Sequence, residues 1–145
     1  MSSATAPHRV STAPSLTVTL ENCPEAAAVA RDVAGDLLRG LGPPPDRDAA
    51  DAVVLIVSEL VTNAVRHTGT RTCTLHLTAG PDTVTVSVAD SSTRPPCERN
   101  PDVRGEGGGF GWPMVRRLAV STSVETTAGG KTVSAVVARR GRTSA

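Results

Sequence analysis

Leu16-Thr17-Val18-Thr19-Leu20 alternates apolar and polar residues, which predicts a short strand. Residues 1–15 are rich in Ser, Thr, Ala and Pro without periodicity and predict a disordered tail. A helix is expected from about 24 to 39, with Pro24 in its first turn and Val29, Val33, Leu37 and Leu38 as its apolar stripe. Gly40 and Gly42 end it, and Pro43-Pro44-Pro45 forms a stiff connector. Asp46 is placed to cap the longest helix, about 46 to 67, which Gly69 closes. Arg71–Ala79 and Thr83–Ala89 alternate on either side of Gly80-Pro81-Asp82, so they read as a hairpin. In the second run Val84, Val86 and Val88 share one face while Thr83, Thr85 and Ser87 share the other, so one sheet face is covered and one is polar.

Residues 90 to 111 lack periodicity and are rich in Pro and Gly, which predicts a lid, a binding loop or disorder. A short helix from about 112 to 119 follows, with Pro113 in its first turn. Val120–Thr127 and Lys131–Ala138 read as two further strands around Gly129-Gly130. The order is β-α-α-β-β-loop-α-β-β. Helices segregated from a mostly antiparallel sheet give an α+β, two-layer sandwich.

Length and composition sharpen this reading. The 145 residues suit one domain, expected over 16–138 between the tail and a loose basic segment, 139–145. Phe110 and Trp112 are the aromatic residues and Tyr is absent, so the core is aliphatic and the chain lacks the platforms on which single-stranded nucleic acid stacks. A formal net charge of +1 argues against a coat for nucleic acid or anionic lipid. No apolar run approaches the ~20 residues that span a bilayer, and Met1–Val10 holds no secretory apolar segment. Cys23, Cys73 and Cys97 are odd in number and lack CxxC spacing, so a disulfide framework is not expected and a cytoplasmic location is.

The candidate chemistry starts on the long helix, at Ser58-Glu59-Leu60-Val61-Thr62-Asn63-Ala64-Val65-Arg66-His67. Glu59, Asn63 and His67 are four apart and fall within an arc of about 80°. Ile56 shares that arc. Val53, Val57, Leu60, Val61 and Ala64 form the apolar arc beside it, and Ser58, Thr62 and Arg66 face solvent. A carboxylate and an amide at the edge of a core need partners. Glu59 and Asn63 are either satisfied boundary residues, with Glu59 serving Arg66 or His67, or a site. In a site, Asn offers an oxygen to Mg²⁺ and Glu accepts a proton.

Two further stretches fit a site. Asp90 ends the Val84–Ala89 strand and is followed by Ser91-Ser92-Thr93-Arg94-Pro95-Pro96. Gly105-Glu106-Gly107-Gly108-Gly109-Phe110-Gly111 opens the short helix, where glycines let backbone N–H groups reach an anion at a helix amino end. Taken singly, Asp90 also reads as a turn residue and the glycine run as a linker. Gly129-Gly130-Lys131-Thr132 ends like a phosphate-binding loop, but Glu125 stands at the required first glycine and no helix follows, so Lys131 reads as hairpin-adjacent. A dinucleotide fingerprint fails because Met114 occupies its third glycine. Cys73 and His76 point to opposite strand faces and share no metal. Arg139, Arg140 and Arg142 read as a solvated tail.

ELVTNAVRH resembles the N-box of the GHKL (histidine-kinase-like, Bergerat-fold) ATPases, and the chain looks most like their anti-sigma-factor serine kinase branch. The resemblance covers about residues 50 to 138. It implies that Asn63 coordinates the Mg²⁺ bridging the phosphates of ATP and that Glu59 is the general base. Asp90 matches the carboxylate that accepts from the adenine amino group, without the two glycines that usually follow. Gly109, Gly111 and Val115 match the phosphate-lid box, with Trp112 in its Leu position. Gly105, Gly107, Arg66 and Thr132 complete the nucleotide-contacting set the resemblance implies. The expected function is transfer of the γ-phosphate of ATP to a Ser or Thr of an anti-anti-sigma (STAS) partner, controlling transcription, with homodimerisation as in relatives of that branch. Two alternatives are a non-catalytic ATP-binding regulator that sequesters a sigma factor or STAS-like partner, and an interaction module without nucleotide.

Overall fold

The computed structural model describes residues 13–67, 71–91 and 111–140. The element order matches the sequence expectation: β1 (Ser15–Glu21), α1 (Ala26–Arg39), α2 (Arg47–His67), β2 (Thr72–Ala79), β3 (Thr83–Asp90), α3 (Gly111–Leu118), β4 (Ser121–Thr127) and β5 (Gly130–Ala138). The strands form one antiparallel sheet in the order β1-β2-β3-β5-β4. The helices cover one face, which gives the α+β two-layer architecture. The expected irregular segment, including Cys97 and Gly105, Gly107 and Gly109, lies largely outside the described residues.

Period-two alternation sets the sheet's two faces. Cys73, Leu75, Leu77 and Ala79 on β2, Val84, Val86 and Val88 on β3, and Val133, Ala135 and Val137 on β5 are buried under the helices. The opposite face is hydroxyl-rich. There Ser87 and Ser134 share a 2.8 Å hydrogen bond across β3 and β5. His76 stands exposed between the hydroxyls of Thr17 and Thr78 at 2.7 and 3.0 Å, on the face opposite Cys73. Helix α2 lies on the covered face through Val53, Ile56, Val57, Leu60, Val61 and Ala64, all buried.

Several local expectations are corrected. The first helix begins at Ala26, because the Ala26 N–H donates to the Cys23 carbonyl at 3.0 Å and closes a turn around Pro24. Its buried face is Ala26, Ala30, Ala34 and Leu38, whereas Val29 is 44% exposed. Small side chains let α1 lie close to its neighbour, and their weak hydropathy hid the stripe. Ser58 and Thr62 do not face open solvent. Arg31 on α1 donates to Ser58 Oγ at 3.0 Å, and Thr62 is half-buried facing Ala27 across a cavity.

Arg139 is not part of a solvated tail. It is 6% exposed, and its guanidinium donates to the Gly80 carbonyl at 2.6 Å and to the Pro43 carbonyl. Its backbone N–H donates to Asp82, and its own carbonyl accepts from the Asp46 N–H at 3.0 Å. One residue thus ties the β2–β3 turn, the proline connector and the start of α2 together. Asp46 stands where the sequence placed a cap, and its carbonyl accepts the Ala50 N–H at 2.8 Å. Arg142 lies outside the described residues.

The α1 assignment yields a paired test by urea unfolding. Ala30→Leu forces extra volume into a fully packed seam and is expected to cost about 1–3 kcal/mol. Val29→Ser alters an exposed position and is expected to stay within about 0.5 kcal/mol of the parent.

Candidate functional site

Helix α2 places Glu59 and Asn63 one turn apart at the edge of its buried face, both half-buried. Ile56, one turn before Glu59, is fully buried, so the polar pair begins where the apolar stripe ends. Among the described residues, none hydrogen-bonds the Asn63 side-chain amide. Glu59 reaches the amino end of α3, where it meets Gly111, the first residue of that helix. A Cβ at position 111 would fall inside contact distance of Glu59 Oε1 and 3.3 Å from its Cδ. A Cβ there would push the carboxylate aside. The sequence offered Glu59 and Gly111 as members of separate motifs, and the fold packs them together. Val115 on α3 is fully buried and Trp112 packs half-buried on the core.

Asp90 continues the Val84-Val86-Val88 face, so its side chain points into the helix-covered layer. Opposite it in register stands Lys131, which continues the Val133-Ala135-Val137 face of β5. Lys131 Nζ donates to both carboxylate oxygens of Asp90, at 3.2 and 3.0 Å, and the two side chains are only 6% and 2% exposed. Gly130 makes this register possible. Its φ is +152°, and a Cβ there would overlap the Asp90 carbonyl and lie 2.8 Å from Ser91 Cα. Thr132, one residue on, is paired with Ala89 and faces the opposite side of the sheet from Asp90. Lys131, and not Thr132, therefore stands opposite Asp90 in the β3–β5 pairing. The signal was present, because Asp90 and Lys131 each extend an apolar alternation by one inward position.

Cys73 stands on the same face beside Asp90. Burial first, and the negative charge of Asp90 second, push its thiol from 9.0 up to about 11. It is a neutral wall of the site rather than a nucleophile. A cavity of about 450 Å³ opens at this strand end, lined by Arg71, Thr72, Cys73, Asp90 and Gly129 among others. The Arg66 side chain, Gly105, Gly107 and Gly109 lie outside the described residues.

These groups fit a Mg²⁺–nucleotide in their donor chemistry. Among the described residues there is no cluster of three or more His, Cys, Asp or Glu able to hold a metal. Mg²⁺ commonly takes one or two protein oxygens and fills its octahedron with phosphates and water, so the single amide oxygen of Asn63 is a sufficient protein ligand. Asp90 supplies a buried carboxylate, held by Lys131, at the end of β3.

The Cys73 environment predicts a pH dependence. A raised thiol pKa stabilises the fold fully below pH 9, and that contribution is lost as pH rises through about 11. With no Tyr to ionise, unfolding free energy is expected to fall by about 2 kcal/mol between pH 9 and 11. Urea unfolding of Cys73→Ala across that range is expected to show a flatter profile.

The comparisons with known proteins agree with this architecture. Residues 20–137 match the family model described as the histidine kinase-like ATPase domain. A crystal structure of the RsbU and RsbW domains of Rv1364c from Mycobacterium tuberculosis matches in fold, with a TM-score of 0.64 and 24% identity over 86% of this chain. The match covers 32% of that longer chain. No curated protein matches the sequence. With the matched segment running from the last core residue of β1 nearly to the end of β5, the chain belongs to the histidine kinase-like ATPase domain family.

Proposed function

We propose that this chain is an ATP-binding regulator that transfers the γ-phosphate of ATP to a Ser or Thr hydroxyl of a protein partner. The observation that carries this reading is the convergence of the Glu59 carboxylate on Gly111. It brings the helix bearing Asn63 against the helix that the glycine-rich segment opens. Family membership supports the nucleotide, and the resemblance to the anti-sigma-factor kinases supports an anti-anti-sigma (STAS) protein or sigma factor as partner.

Each residue then has a defined task. Asn63 offers its amide oxygen to Mg²⁺, which supplies charge neutralisation at the phosphates when bound. Asp90 accepts a hydrogen bond from the adenine amino group. Gly111 and the amino end of α3 face the phosphates with backbone N–H groups and the positive end of the helix dipole. Glu59 takes the proton from the attacking hydroxyl as its oxygen bonds to the γ-phosphorus. The bond to the β–γ bridging oxygen breaks and ADP leaves. Phosphoryl transfer rests on positioning and electrostatics, so no covalent intermediate is needed.

The same Glu59–Gly111 contact favours a second reading, in which Glu59 is an anchor for α3 and the chain is a nucleotide-switched, non-catalytic regulator. Calorimetric titration with ATP, with and without Mg²⁺, tests the shared part. Magnesium-dependent binding is expected, and Asn63→Ala is expected to lose that dependence. Incubation of the protein with labelled ATP and a candidate STAS protein separates the readings. Glu59→Gln is expected to keep binding and lose transfer by about 10²–10⁴-fold. Transfer at the parent rate in that variant overturns the base assignment. Gly111→Ala displaces the carboxylate and is expected to depress transfer by at least tenfold.

A further inference from the structure

The sheet ends on β4, and β4 lacks the devices that blunt an exposed edge strand. Its seven residues, Ser121–Thr127, stand in unbroken register with β5. The strand holds no Pro, Lys or Arg, and Glu125 is its single charge. Among the described residues, no strand pairs with its outer edge. In an antiparallel pair every second residue turns its N–H and C=O away from the partner strand. The outer edge of β4 therefore offers a row of backbone donors and acceptors. Six of the seven residues are exposed, and Thr122 is half-buried.

Apolar exposure concentrates at the same edge. Among the described residues, the large apolar side chains left exposed are Val29, Leu55, Leu118, Val120 and Val124. The last three lie on β4 or within three residues of its start, and Val120 is 66% exposed. Val124 is paired with Val133, so it faces the helix-covered side together with Thr122 and Thr126. Helices α2 and α3 pack on β5, and the inward row of β4 beside them stays largely open. The other edge of the sheet differs. On β1 the inward row, Leu16, Val18 and Leu20, is already packed on the core. A strand added beside β1 gains backbone bonds, whereas one added beside β4 also covers apolar surface.

We infer that β4 is an association edge whose occupant is β4 of a second copy of this chain, paired antiparallel about Val124. Self-complementarity selects this occupant. A two-fold axis at Val124 overlaps the whole strand, with Val124 against Val124, Ser123 against Glu125, Thr122 against Thr126 and Ser121 against Thr127. No two charges stand directly opposite, and Val and Thr pairs favour cross-strand contact. The arrangement is isologous, so it closes at two copies and leaves neither β4 open. Two five-stranded sheets then join edge to edge, and the Val124 side chains of both copies meet on the helix-covered side. A contact built on one strand pair belongs with interfaces of less than about 1,200 Å², which associate reversibly. The expected behaviour is a monomer–dimer equilibrium set by concentration.

Analytical ultracentrifugation of the full chain tests the equilibrium, and a cysteine tests the edge. From about 10 μM to about 1 mM protein, the mass is expected to rise from monomer to dimer and to stop there. Across the two-fold axis the Val124 Cα atoms stand about 4.5–5.5 Å apart. That lies inside the range of about 4.4–6.8 Å found in disulfides. Val124→Cys treated with oxidised glutathione is therefore expected to give a covalent dimer, with residue 124 of one copy joined to residue 124 of the other in peptide mapping. The parent chain treated alike controls for Cys23, Cys73 and Cys97. Val124→Lys, checked for folding by thermal unfolding, sets like charges face to face and is expected to weaken association by about tenfold or more. Val29→Lys, at an exposed position of α1, is expected to leave it unchanged. A monomer at every concentration overturns the inference. So does a dimer that forms no 124–124 link or that Val124→Lys leaves unweakened, because association then uses another surface. Growth beyond two copies overturns the isologous pairing.

Discussion

A carboxylate and an ammonium enter an aliphatic interior only as a pair, and that constraint governs the chemical end of this fold. Asp90 and Lys131 occupy positions that alternation assigns to the core, where their neighbours are valines and alanines. Neither could stand there alone, because an uncompensated buried charge costs several kcal/mol. Their mutual bonds fix the register of β3 against β5, and that register places Thr132 on the far face. A well-packed apolar pair of similar volume would often serve stability as well or better.

Glycine is the counterpart of this constraint. Gly130 brings the β5 backbone against Asp90 and Ser91, and Gly111 leaves room for the Glu59 carboxylate at the start of α3. At Gly130 neighbouring backbone lies where a Cβ would otherwise be, and at Gly111 a carboxylate does. The two glycines belong to different runs of the sequence, and each run contains others that nothing distinguishes by composition. What selects these two is the close approach of another element, which only the folded chain defines.

The legibility of the sequence follows from the same physics. Elements were readable because valine-rich alternation and Gly or Pro punctuation act locally, and the hairpin around Gly80-Pro81-Asp82 is a local decision. The buried face of α1 was misread because Ala26, Ala30 and Ala34 carry little hydropathy, while Val29 carries much and is exposed. Arg139 was misread because a charge next to a basic run looks solvated. Its burial depends on carbonyls from Pro43 and Gly80, remote in sequence. Glu59 and Asn63 were placed at the boundary by helical geometry alone. Their proximity to Gly111 was not legible, since it depends on how α3 docks. The pairing of Asp90 with Lys131 needed only the observation that both stand in inward register, but the sequence does not say which strands are neighbours.

The opposite end of the molecule explains how this site is held. Arg139 joins the end of β5 to the start of α2 through the Asp46 N–H, so the two elements share an origin. From Arg139 back to Lys131 the strand spans about 27 Å at ~3.4 Å per residue. From Asp46 to Asn63 the helix spans about 26 Å at ~1.5 Å per residue. Two struts of matched length thus leave one anchor, one ending at Asn63 and the other at Lys131. The buried guanidinium, which resembles a stray member of a basic tail in sequence, is thus the pin that joins these elements at their shared end. Its Nε has no partner among the described residues, and a buried donor left unpaired carries a penalty. The fold accepts that penalty at the Arg139 end of β5 and places its paired charges, Asp90 and Lys131, at the other.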